Sequence, residues 1–211
     1  MQSVKAKKPT GRALRDQLIR RSSMNIRAAF DWTGALSGLI LEIRGDLAEI
    51  PSLKNSKIPG TNFINPLTVA RLKALGSLFT AAWFDEFATA DRKLALPATF
   101  GKEELFAVLI CGKRGRRFDT DNAFAAIRDW CEPPAKLNRK HTRGWGVGIV
   151  ADDSQISGLA INETDLGYST GRTIFILARL ADARPGLAAF VASEFMRIEG
   201  AAARPRKKGE K

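Results

Sequence analysis

The stretch "ELFAVLICGKRGRRFDTDNAFAAIRDW", residues 104–130, passes from one kind of periodicity to another, and its reading decides the fold. "ELFAVLICGK" (104–113) is an apolar run of strand length, rich in Val, Ile and Phe, which predicts a largely buried strand. Past Asn122, the residues Phe124, Ile127 and Cys131 fall on one helical face, until "EPP" at 132–134 stops the helix. Between strand and helix the chain places two arginines, Arg116 and Arg117, directly before two aspartates, Asp119 and Asp121.

Upstream, "LSGLILEIRG" (36–45) alternates as a strand, with Leu39, Leu41 and Ile43 on one side, and is followed by the polar loop "EIPSLKNSKIPGTN" (49–62). Asn65 and Pro66 read as cap and first residue of a long helix to about Ala90, with Val69, Leu72, Leu75, Phe79 and Trp83 at helical spacing as core. Downstream, a basic irregular stretch "AKLNRKHTRG" (135–144) leads to "WGVGIV" (145–150), a short strand expected to end at Asp152 and Asp153. "SQISGLAIN" (154–162) and "RTIFILARL" (172–180) read as two further strands joined by a hairpin loop, "ETDLGYSTG". "GLAAFVASEFMRIEG" (186–200) predicts an amphipathic helix before a basic tail.

Hydrophobic residues make up 45% and charged residues 27%, a globular balance, and the apolar runs fall short of the roughly 20 residues a membrane span requires. The opening "MQSVKAKKPTGRALRDQLIRRSS" lacks the apolar stretch of a secretory signal, and Asp16 argues against a transit peptide, so a cytoplasmic location is expected. Two unpatterned cysteines, Cys111 and Cys131, predict reduced thiols rather than a disulfide framework or a zinc site. The net charge is +12, and residues 1–23 and 204–211 hold ten of those charges, leaving a nearly neutral body. Basic tails fit a sequence-independent grip on phosphates and a merely solubilising role about equally well.

If Asp119 and Asp121 leave the strand in extended form, their side chains share a face about 6 to 7 Å apart. At an effective dielectric near 20 they then repel by about 2.5 kcal/mol, so positive charge is expected beside them. Arg116 and Arg117 could supply it in a salt-bridged strand end, with Asp121 or Asn122 capping the helix. Asp152 and Asp153 offer the other reading: if the two strand ends are neighbours, acids from two elements converge on one edge of a sheet. Oxygen-only ligands there suit Mg²⁺ or Mn²⁺, which retain water and complete their shell with phosphate oxygens. That is an arrangement for phosphodiester cleavage.

"RRFDTDN" (116–122) and "DDSQ" (152–155) resemble the motifs of the RusA-like Holliday junction resolvases, in which a basic run leads into D-x-D-N, a helix, and then D-D-x-Q opening a strand. "PSLKNSK" (51–57) is similar to the family's loop after its first strand. The resemblance covers roughly residues 36–180 as a nuclease domain, leaving a basic N-terminal extension (1–35) and a C-terminal helix and tail (181–211). It implies an α/β (α+β) fold, a small mixed β-sheet flanked by helices, working as a homodimer on four-way or otherwise branched DNA. Asp119, Asp121 and Asp153 would be the catalytic, metal-binding acids, with Asp152 a lesser candidate and Mg²⁺ or Mn²⁺ as cofactor. DNA contacts would come from Lys54, Asn55 and Lys57, from Lys113, Arg114, Arg116 and Arg117, and from Arg128, Lys136, Arg139 and Lys140. The basic stretch that also contains His141, Arg143 and Trp145 would touch phosphates or stack on an unpaired base, or else be a solvated loop. Family members usually carry a Lys four residues after the second Asp, whereas this chain has Ala125, and Arg128, Lys136 or Lys140 are candidates for its place. The alternative is a noncatalytic protein that binds branched DNA on the same fold.

Overall fold

The computed structural model describes residues 11–30, 36–53, 56–61, 63–88, 100, 102–111, 120–134, 145–162 and 171–181. Helix α1 (Gly11–Arg20) leads into strands β1 (Ser22–Phe30) and β2 (Leu36–Gly45), and helix α2 (Pro66–Ala88) follows. Strand β3 (Leu105–Cys111), helix α3 (Thr120–Cys131) and strands β4 (Ile156–Asn162) and β5 (Arg172–Arg179) complete the described elements. The strands form one mixed sheet in the order β1-β2-β5-β3-β4. Every pairing is antiparallel except that of β3 with β4, which is parallel. Parallel neighbours require a crossover, and α3 lies in it. The protein is therefore an α+β structure, in which the described residues form a mixed five-stranded sheet with three α-helices.

β3 shows why the central run in the sequence is apolar on alternate and intervening positions alike. Leu105, Ala107, Leu109 and Cys111 join the main core, while Val108 and Ile110 pack with Ile174 and Ile176 of β5 on the other side of the sheet. On β2, Leu39, Leu41 and Ile43 are all buried, as their alternation predicts. α2 starts as expected: the Leu67 amide donates to Asn65 Oδ1 at 2.9 Å, and Pro66 takes the first helical position, where no amide is needed. Leu72, Leu75, Phe79 and Trp83 are buried along its inner stripe. Phe79 meets Trp130 of α3 edge to face at 5.5 Å between ring centroids, and Phe87 meets Phe30 of β1 at 6.2 Å, so α2 ties the edge strand β1 and helix α3 into one aromatic cluster.

Four expectations need correction. Residues 11–30 of the expected basic extension are built into the fold: β1 pairs with β2 along its whole length, and Ile26 is in the core. The alternation of Met24, Ile26, Ala28 and Phe30 on the inner face was legible beneath the basic composition. Second, β4 and β5 do not form a hairpin, because β3 inserts between them and hydrogen-bonds to both. Third, "WGVGIV" is not a strand. Gly146 and Gly148 have φ of 124° and 71°, which turn the chain, while Trp145, Ile149 and Val150 are buried and explain the apolar pattern. Fourth, α3 begins at Thr120, so Asp121 and Asn122 sit within its first turn instead of capping it or extending the strand. The expected C-terminal helix at 186–200 and the loop at 163–170 lie outside the described residues.

Candidate metal centre at the end of α3

The end of α3 and the start of β4 are held together by backbone groups that a helix terminus leaves unpaired. The carbonyls of Trp130, Cys131 and Glu132 accept hydrogen bonds from the amides of Val147, Val150 and Gly148 at 3.0, 3.2 and 3.1 Å. This close approach requires glycine: a Cβ on Gly146 would stand 2.4 Å from the Glu132 carbonyl oxygen. The chain then reaches "DDSQ", which forms a 3₁₀ turn at Asp153–Gln155 opening β4. Asp152 caps that turn by accepting from the Ser154 amide at 3.0 Å, and Gln155 Oε1 accepts in return from the Asp152 and Ala151 amides, both at 2.9 Å. The two aspartates thus open a strand and do not close one.

Asp153 is fixed from α3. Its amide donates to Glu132 Oε1 at 2.9 Å, and its carbonyl accepts from Arg128 Nη2 and Nε at 2.6 and 3.2 Å. Arg128 Nη2 also stands 3.7 Å from the Asp153 carboxylate. Glu132 is only 5% exposed, a burial that carboxylates adopt when partnered. One carboxylate oxygen each from Glu132, Asp152 and Asp153 lie within 4.8 Å of one another. At that separation each like-charged pair repels by about 3 to 4 kcal/mol at an effective dielectric of 20, and Arg128 supplies only one compensating charge. Three carboxylate oxygens this close together could hold a metal ion. Burial pushes the neighbouring Cys131 thiol far up, Glu132 adds to this and Arg128 opposes it, which favours the protonated thiol.

Of the sequence candidates, Asp153 and Arg128 meet here, with Asp152 beside them. Asp121 does not join this group. It is exposed in the first turn of α3, and the eleven residue steps from it to Glu132 correspond to about 16 Å along a helix axis. The reason is that Asp121 lies in the first turn of α3, whereas Glu132, Asp152 and Asp153 gather at its other end. Lys57 is exposed and bridges to Ile64 in the loop before α2. Trp145, expected as a stacking platform, is 4% exposed and belongs to the core. Asp119, Lys54, Asn55, Lys113, Arg114, Arg116, Arg117, Lys136, Arg139, Lys140, His141 and Arg143 lie outside the described residues.

Glu132 is the residue that sequence reasoning passed over, because an acid before two prolines reads as a helix stop. Its signal was position: one turn after Arg128, at the end of a helix whose other face is apolar. Among the described residues no helix is long and apolar enough to cross a membrane. No protein-family model, no curated protein and no solved structure matches this chain.

Proposed function

We propose that the protein is a Mg²⁺-dependent, structure-selective endodeoxyribonuclease acting on Holliday junctions or other branched DNA, as a cytoplasmic homodimer of the RusA-like type. The observation that carries this reading is the meeting of Glu132, Asp152 and Asp153 within 4.8 Å beside Arg128, at the point where "DDSQ" opens a strand. Glu132, Asp152 and Asp153 would hold the ion, which when bound supplies Lewis acidity toward a phosphate oxygen and a more acidic water. The chain's own groups have separate tasks. Glu132 fixes the Asp153 amide, and the Asp152–Gln155 box sets the turn, so both aspartates are presented without flexible reach. Arg128 holds the Asp153 carbonyl with two of its nitrogens and brings a cation to the edge of the acids, where a phosphodiester would approach.

A second reading, a noncatalytic binder of branched DNA, draws on two observations: Asp121 stands away from the acidic group, and Ala125 occupies the position of the family's Lys. Nicking of a synthetic four-way junction by the purified chain, with and without Mg²⁺, separates the two. The nuclease reading expects Mg²⁺-dependent nicking that Asp153→Asn abolishes while binding persists. Tight binding without nicking in Mg²⁺ or Mn²⁺ selects the second.

A further inference from the structure

Along α2 runs a cleft, bounded by α1 and by residues 133–134 and 145–148, that the acidic centre does not use. One part, about 740 Å³, is lined by Arg15 of α1, by Lys73, Gly76, Phe79 and Phe84 of α2, and by Pro133, Pro134 and Trp145. A second part, about 430 Å³, shares Arg15 and Lys73 and adds Arg12. Among the described residues no acidic side chain lines either part. This is not a reflection of overall charge, because a neighbouring cleft of about 480 Å³ is lined by Glu42, Asp85 and Glu86 against a single Arg44.

Two of the three cations of this cleft, Arg12 and Lys73, are available for a ligand, while Arg15 is paired with Asp16. Arg12 and Lys73 are exposed, and among the described residues no ion pair engages either. Arg15 Nε is shielded from solvent yet donates no hydrogen bond, with the Asp16 carboxylate 3.6 Å away. Lys73, Ser77, Thr80 and Phe84 follow one another at helical spacing along one exposed face of α2. From Lys73 to Phe84 that face runs about 16 Å, the length of four or five stacked nucleotides at roughly 3.4 Å each. Phe84 is 61% exposed at its end, a large aromatic ring on a surface where such groups are normally withdrawn. Cations along a groove with an accessible aromatic ring match a nucleic-acid strand, whose phosphates and base faces alternate in the same way.

We propose that this cleft is a binding surface for a single nucleic-acid strand, its phosphates on Arg12, Arg15 and Lys73 and a base stacked on Phe84. The inference rests on the DNA-directed reading above and extends it to a surface remote in sequence from the acidic motifs. Pro133 and Pro134, which line the cleft, directly follow Glu132 of the acidic group in the chain.

The test is fluorescence anisotropy of the full chain with a labelled single-stranded oligonucleotide of about 20 residues, over about 50 to 200 mM salt. Arg12→Ala/Lys73→Ala is compared with a control of equal charge loss on exposed residues outside the cleft, Arg27→Ala/Lys102→Ala. Loss of two phosphate contacts should lower the slope of log affinity against log salt by about 1.4 relative to the control, and weaken binding on the order of tenfold at the lower salt. Phe84→Ala should weaken binding about tenfold with little change of slope. Thermal unfolding of each variant confirms that the fold is kept. A cleft variant indistinguishable from the control overturns the proposal, as does competition by a polyaspartate peptide equal to that by oligonucleotide with Phe84→Ala silent. Junction nicking by the same samples keeps the two readings apart. Wild-type binding through the cleft without nicking removes only the nuclease, whereas intact nicking with unaltered binding in the cleft variants removes only this surface.

Discussion

At the scale of single residues, Glu132 has two separable roles, a hydrogen-bond acceptor for the Asp153 amide and a charge in the acidic group. Glu132→Gln keeps an acceptor and removes the charge. It should leave stability nearly unchanged while weakening Mn²⁺ binding measured by calorimetry at least tenfold. Glu132→Ala also leaves the Asp153 amide without its partner and should cost about 1 to 3 kcal/mol in chemical denaturation. Equal loss of stability in both variants would contradict this division. Cys131, fully enclosed and with its thiol pushed up, should resist thiol reagents at neutral pH until the chain is unfolded. Fast modification of the native protein at Cys131, mapped by mass spectrometry, would show that the end of α3 is more open than described. Individual acids were legible in the sequence, because Asp152 and Asp153 stand in a motif with Gln155. Glu132 was not, since its role depends on where Gly146 and Gly148 return the chain.

Elements obey a different logic, in which the partner decides what a stretch becomes. β3 could be read from its composition because a strand buried on both faces is apolar throughout. Its neighbours could not be, since nothing in "SQISGLAIN" or "RTIFILARL" states that β3 will come between them. "WGVGIV" carries strand-like residues, yet its amides bond the carbonyls at the end of α3 and its glycines turn it there. Gly146→Ala should therefore cost several kcal/mol, judged by thermal unfolding, because its Cβ meets a backbone carbonyl at a positive φ. Between β2 and β5 the central polar element is Glu42. Burial pushes its carboxyl up, but hydrogen bonds and charge from Arg44 and Arg172 outweigh this and hold it below the ordinary value. A depressed folded-state value means that its contribution is present above the unfolded-state value near pH 4.5 and is lost as pH falls through the folded one. Stability of the wild type should thus drop below about pH 4.5 more steeply than that of Glu42→Gln, measured by urea denaturation across pH.

For the whole molecule, the fold puts Pro133 and Pro134 in the wall of the cation-lined cleft, directly after Glu132 of the acidic group in the chain. Helix α1, which supplies Arg12 and Arg15 to that cleft, and strand β1, which forms one edge of the sheet, came from sequence whose basic composition outweighed the alternation legible beneath it. Deleting residues 1–30 should consequently unfold the protein, not merely weaken its binding, because it exposes the β2 edge and removes Ile26 from the core. Circular dichroism of the shortened chain checks this, and a cooperative unfolding transition equal to that of the full chain would contradict it. The central claim is that Glu132, Asp152 and Asp153 gather a divalent ion that cuts branched DNA. Its most direct measurement is the nicking of a labelled four-way junction by wild type and Asp153→Asn, each with and without Mg²⁺. The account predicts cutting by the wild type only with the ion present, and a fall of at least a hundredfold in the variant with junction binding retained. Undiminished cutting by Asp153→Asn would contradict it.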